Sequence, residues 1–168
     1  MSRIILVTQR TPRNAVIPVS IDPAGLAAQA RAWGLELGFQ RVGIAAIDLP
    51  DDERRLQDWL DAGRHGEMHY MARHGTRRSR PAEFVPGTMR VISARMDYWP
   101  ESADAQGVLG NASLGYVSRY ALGRDYHKVL RSRLARLADR LAAAAGSGAF
   151  RACTDSAPVL EKALARDA

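Results

Sequence analysis

A chain of 168 residues is one domain's worth of protein, and 46% apolar with 25% charged residues is ordinary globular composition that permits a packed core. The formal net charge of +6 favours an anionic partner, nucleic acid or a phosphorylated ligand, although a moderate net charge also serves solubility. One cysteine, Cys153, excludes an internal disulfide and any iron–sulfur cluster held by this chain's own thiolates, and it fits a reducing compartment.

Residues 1–19 are weakly patterned, with Pro12 and Pro18 as breakers. They are expected to be a flexible, disordered extension or the product of a start chosen too far upstream. The run Ile4-Ile5-Leu6-Val7 is too short for a signal-peptide core or a membrane span, so a cytoplasmic location without membrane contact is expected. Asp22-Pro23 is a helix start, Leu26, Ala30, Trp33 and Leu37 recur at helical spacing, and Gly38 ends the helix. Residues 41–46 form a buried strand candidate. Pro50 with Asp51, Asp52 and Glu53 opens a second helix that Gly63 closes.

His65 and His69 have the spacing that places two imidazoles on one helix face. A zinc site would need further ligands, and only Glu67 and His74 are near, so no metal site is expected. Met68 and Met71 are read as packing residues. Arg73, Arg77, Arg78 and Arg80 form a dense cationic cluster, which is either a solvated turn or a set of guanidinium forks for phosphate or amide groups. Pro86-Gly87 is a turn, and 91–98 reads as a strand. Residues 99–111 read as a loop.

Residues 115–120 carry strand propensity and three polar tips, on Tyr116, Arg119 and Tyr120. They suit either stacking on a flat ring or base, or an exposed sheet edge. A long helix over 125–145 has a stripe of Val129, Leu130, Leu134, Leu137 and Leu141. Arg131, Arg133, Arg136 and Arg140 on its other sides are a solvated face or an RNA-backbone track. A short strand then ends at Cys153, read as a small core residue. Pro158 is expected to open the next helix, which places Asp155 at a strand-to-helix junction under that helix's amides. There Asp155 suits two roles: a helix cap, shared with Ser156, or an ionised carboxylate in a ligand site.

Five blocks share a pattern with one family. They are H-G-E-M-x-Y-M at 65–71, R-x-R-P at 78–81, P-G-T-x-R-V-I-S at 86–93, G-Y-V-S-R-Y-A-L-G-R-D-Y-H-K at 115–128 and D-S-A-P-V-L-E-K-A-L-A from Asp155. In this order the chain resembles the epoxyqueuosine reductases, from about Asp22 to its last residue. The resemblance implies reduction of epoxyqueuosine to queuosine at the wobble position of transfer RNA, with cobalamin as cofactor. It places Arg78, Ser118 and Asp155 against the cobalamin and makes Asp155 the catalytic acid. Arg119 and Lys162 are assigned to transfer RNA. Members of the family continue with a Gly-rich segment and a ferredoxin-like domain that passes electrons from a donor through iron–sulfur clusters. This chain stops at Ala168, before either, so residues 20–168 are expected to be the N-terminal part of the catalytic domain.

The fold class expected is α/β (α+β): a layered mixed sheet of about four strands flanked by four or five helices, similar to the nitroreductase-like cobalamin domain of reductive dehalogenases. An acid near the corrin is raised in pKa by burial and lowered by a helix N-terminus, and the two effects compete at Asp155. A different class of function, a non-catalytic basic module that binds corrinoid or RNA, and a generic flavin reductase are the alternatives.

Overall fold

Residues 88–96 alternate between two apolar faces: Ile92 and Ala94 point one way, Val91 and Ser93 the other, and all four are buried. A strand with both faces covered forms the middle layer of a three-layer arrangement. The computed structural model describes residues 2–9, 22–99, 101–146, 149–155 and 157–168. In chain order the elements are β1 (Ser2–Gln9), α1 (Pro23–Glu36), β2 (Arg41–Ala45), α2 (Pro50–Asp61), α3 (Pro81–Phe84), β3 (Thr88–Met96), α4 (Ala105–Leu109), α5 (Tyr126–Ala145), β4 (Ala149–Cys153) and α6 (Glu161–Arg166). Single 3-10 turns cover His69–Met71, Gly75–Arg78 and Arg119–Ala121.

The sheet order is β2-β3-β1-β4, and every neighbouring pair is antiparallel. This corrects the expected mixed sheet. Alternating strands and helices suggested parallel crossovers, but the strand lying between β3 and β4 is β1, which runs opposite to both. The expected extension over residues 1–19 also differs from the structure across Ser2–Gln9, which pairs with both neighbours; residues 10–19 lie outside the described residues.

One face of the sheet is covered by α1 and α5. Leu130, Leu134, Leu137 and Leu141 of α5 are buried against Ala30, Leu37, Phe39, Val42 and Ile92. Asp22 caps α1 through hydrogen bonds from the Ala24 and Gly25 amides, as its position predicts. Gly38 takes φ +84° after that helix, and Nη1 of Arg133 from α5 donates to its carbonyl at 3.0 Å. A Cβ at Gly38 would displace that guanidinium, and the positive φ is what makes glycine the fitting residue here. On the opposite face Cys153 packs with Val91, Val159, Ala163 and Leu164, and burial pushes its thiol up, as a core cysteine requires.

Two further expectations fall here. Residues 115–120 are not a strand: Tyr116, Val117 and Tyr120 stay exposed, and without a neighbouring strand their propensity has no ladder to join. Pro158 does not open a helix. The Ala157 amide turns back to Thr154, the Leu160 amide donates to the Arg78 carbonyl at 2.9 Å, and α6 begins only at Glu161. No helix among the described residues is long and apolar enough to cross a membrane.

Candidate active site

Asp155 lies two residues beyond β4, in a turn, and half of its side chain is exposed. Since α6 starts six residues later, the amides of that helix do not hold Asp155, contrary to the sequence expectation. Its partners come from the first turn of α5. The Tyr126 phenol donates to Oδ2 at 2.6 Å, and Nε2 of His127 lies 2.9 Å from Oδ1. The Tyr126 pKa is pushed up to about 12, first by its hydrogen bond to Asp155 and then by burial.

The other ring nitrogen of His127, Nδ1, is 3.3 Å from Oδ1 of Asp125. Asp125 is the N-cap of α5 and also accepts the His127 amide at 2.9 Å. The cap therefore fixes both the backbone and the ring of His127. An imidazole between two carboxylates donates to both only as the imidazolium; as neutral imidazole it donates to one. Phenol and imidazole stack with centroids 4.0 Å apart, so the pair is positioned as one unit. Three titratable side chains in hydrogen-bond contact can store and pass protons. Tyr126 and His127 escaped the sequence reading as site residues, which treated them as the lead-in to a helix. The signal for them was present: an Asp N-cap followed at once by two side chains able to carry protons.

An aromatic surface adjoins this cluster. Tyr120 meets Tyr126 edge-on at 6.3 Å, and Tyr98 meets Tyr120 edge-on at 6.4 Å. Ser118 is exposed and caps the 3-10 turn that carries Tyr120, so the structure brings the Ser118 segment beside Asp155 through Tyr120 and Tyr126. Arg119 lies with its guanidinium 4.0 Å from the centroid of the Trp99 ring, itself 76% exposed.

Arg78 is half-buried. Its Nε donates to the Met71 carbonyl at 3.1 Å and its Nη2 to the Tyr70 carbonyl at 2.9 Å, while its own carbonyl receives the Leu160 amide. Arg78 thus ties 70–71 to the loop that carries Asp155, and its Nη1 has no hydrogen-bond partner among the described residues. The next arginine has a structural task. Arg80 forms a bidentate pair with Glu53 at 2.7 and 2.9 Å and also reaches Glu83, so of the four arginines read as guanidinium forks, Arg80 binds to the protein itself and Arg78 does so in part, while Arg73 and Arg77 are exposed. Lys162 is exposed on α6. His65 and His69 do not share a helix; their rings meet edge-on at 6.0 Å. The buried hydroxyl of Thr154, beside Asp155, has no hydrogen-bond partner among the described residues.

Residues 78–156, which hold Arg78, Ser118, Tyr126, His127 and Asp155, match the family model described as epoxyqueuosine reductase QueG, DUF1730. The chain is similar to proteins named epoxyqueuosine reductase from Pseudomonas aeruginosa, 60% identical over 88% of this chain and 41% of the relative, and from Escherichia coli, 55% identical over 88% and 39%. A Salmonella typhimurium protein of the same name is 53% identical over 92% of this chain and 40% of the relative. The chain therefore spans about two fifths of the length of the curated relatives it matches. No solved structure matches it.

Proposed function

Because this chain belongs, over the region it shares with those relatives, to the epoxyqueuosine reductase family, we propose that it forms the N-terminal part of the catalytic domain of an enzyme that reduces epoxyqueuosine to queuosine in transfer RNA. The observation that carries this reading is the contact of Asp155 with both Tyr126 and His127, beside an exposed aromatic surface and inside the matched residues. The reaction removes the epoxide oxygen as water, which consumes two electrons and two protons. Asp155 delivers a proton to the departing oxygen, and Tyr126 and His127 orient the carboxyl group and replace its proton from solvent.

Cobalamin fits these residues. The exposed aromatic rings of Tyr116 and Tyr120 offer apolar area to a flat macrocycle, Ser118 an exposed hydroxyl, and Arg78 an unpartnered Nη1 on an otherwise fixed side chain. When bound, cobalamin supplies a strongly reducing cobalt centre. With one buried cysteine, these 168 residues do not ligate an iron–sulfur cluster, so clusters and the electron donor they serve act from outside them. Arg119 and Lys162 contribute cationic surface for the RNA, and the cytoplasm supplies both substrate and reductant.

The test uses the full-length protein loaded with cobalamin and transfer RNA carrying epoxyqueuosine. Asp155→Asn, matched for cobalamin by absorption, should lose roughly two to four orders of magnitude in turnover. Turnover at the parent rate would overturn the role of Asp155. Binding of RNA and corrinoid without any turnover by the parent would identify a binding module instead.

A further inference from the structure

Two of the four arginines of α5 are tied into the fold. Arg133 is spent inside the fold: its Nη1 contacts the Gly38 carbonyl at 3.0 Å and Sδ of Met96 at 3.1 Å. Arg140 is paired with Glu36 of α1. Both pin α5 to the layer beneath. Arg124, Lys128 and Arg136 are exposed, and none of them makes a hydrogen bond or ion pair among the described residues. Together with Ser132 they recur at four-residue intervals and line an open groove of about 570 Å³. Asp125, at its end beside Tyr126, is the one acid among the groove's lining residues.

Four residues of helix rise about 6 Å, so Lys128, Ser132 and Arg136 cover about 12 Å along one face, with Arg124 just ahead of the N-cap. A row of exposed cations along an open groove lined mainly by polar residues attracts a linear polyanion, because each phosphate it neutralises releases counterions. The row starts one residue before the cap that orients His127, and His127 contacts Asp155. A strand lying in the groove therefore has one end next to the proposed site of reaction.

We infer that this groove is a phosphate track: Arg124, Lys128 and Arg136 receive the backbone of the single-stranded RNA loop whose modified base is presented to Asp155. The inference rests on the proposed RNA substrate. It separates the cations that bind RNA from Arg133 and Arg140, which hold the fold.

The experiment measures binding of an anticodon stem-loop RNA by the full-length protein across a salt series. Replacing Arg124, Lys128 and Arg136 together with Gln should lower the slope of log affinity against log salt by about 2, at ~0.7 per lost phosphate contact on single-stranded RNA. The melting temperature should stay at the parent value. A control in which Arg31, Arg54 and Arg55 become Gln removes the same charge elsewhere and should keep the parent slope. A parent slope in the track variant overturns the track and leaves the RNA substrate standing. An equal drop in the control overturns it too, since net charge alone would then act. No RNA binding by the parent removes the substrate reading and the track with it. If the triple variant melts early, the single Lys128→Gln change decides: its slope should fall by about 0.7.

Discussion

The Tyr126 hydroxyl and the Asp155 carboxylate, 29 residues apart in the chain, meet at 2.6 Å and so join the start of α5 to the turn after β4. A carboxylate that accepts a phenolic proton disfavours the phenolate, which would face it as a like charge. Tyr126 should therefore titrate near pH 12, above the ordinary tyrosine value of about 10. A folded-state pKa above the unfolded one stabilises the protein fully below pH ~10 and is lost as pH rises through 12. In an ultraviolet titration, Asp155→Asn should move one of the five tyrosines back towards 10. An unchanged tyrosine profile would mean that the contact does not persist in solution.

Much of this arrangement was legible in the sequence, for reasons that differ by element. The α5 stripe and the Asp22 cap are local periodicity and local chemistry, so they read correctly from neighbours three and four apart. Asp155 was legible as a residue worth attention, but its environment was not. The sequence pointed to the helix that follows it, whereas its partners are Tyr126 and His127, a contact no local pattern encodes. The strand misread at 115–120 has the same origin: β-propensity describes a residue's fit to a pleated surface, and only the fold decides whether such a surface is there. Arg80 looked like a ligand fork until Glu53, 27 residues earlier in the chain, took both of its prongs.

That Arg80–Glu53 pair predicts acid sensitivity. The Arg80 guanidinium, and after it the Ser79 hydroxyl at 2.6 Å, hold the Glu53 carboxyl down at about 2. A depressed folded-state pKa contributes stability above the unfolded value near 4.3, and that contribution is lost as pH falls from there through 2. Glu53→Gln should melt earlier than the parent at neutral pH, and the gap should narrow below pH 3. A gap that stays constant down to pH 2 would show that the charge on Glu53 contributes nothing.

Leu134 is fully buried where α5 crosses the sheet, among Leu130, Leu137 and Leu141. Leu134→Ala removes its transfer energy and leaves a cavity, for a loss of about 2–5 kcal/mol in denaturant unfolding. Exposed Ala135 on the same helix offers the comparison: Ala135→Gln should change stability by less than ~0.5 kcal/mol. Similar losses at both positions would place the stripe on the wrong face.

Asp155→Ala separates a structural role from a chemical one. A helix cap would lose about 1 kcal/mol, but α6 opens six residues after Asp155 and Leu160 stands at its N-cap. What the alanine removes is the contact with Tyr126 and with His127, on a carboxylate that is 46% exposed and well screened. The expected cost is therefore small, below ~1 kcal/mol, and part of it should appear in Tyr126→Phe, which breaks the one hydrogen bond that both changes remove. The double variant should be no less stable than the worse single one, because the shared contact can be lost only once. Turnover in the cobalamin-loaded full-length protein should behave differently. Asp155→Ala should fall by two to four orders of magnitude, and Tyr126→Phe, which leaves the acid in place, should fall by much less. A loss of more than ~2 kcal/mol in Asp155→Ala, with normal turnover in the fraction that stays folded, would make Asp155 a structural residue and return the search for the proton donor to His127.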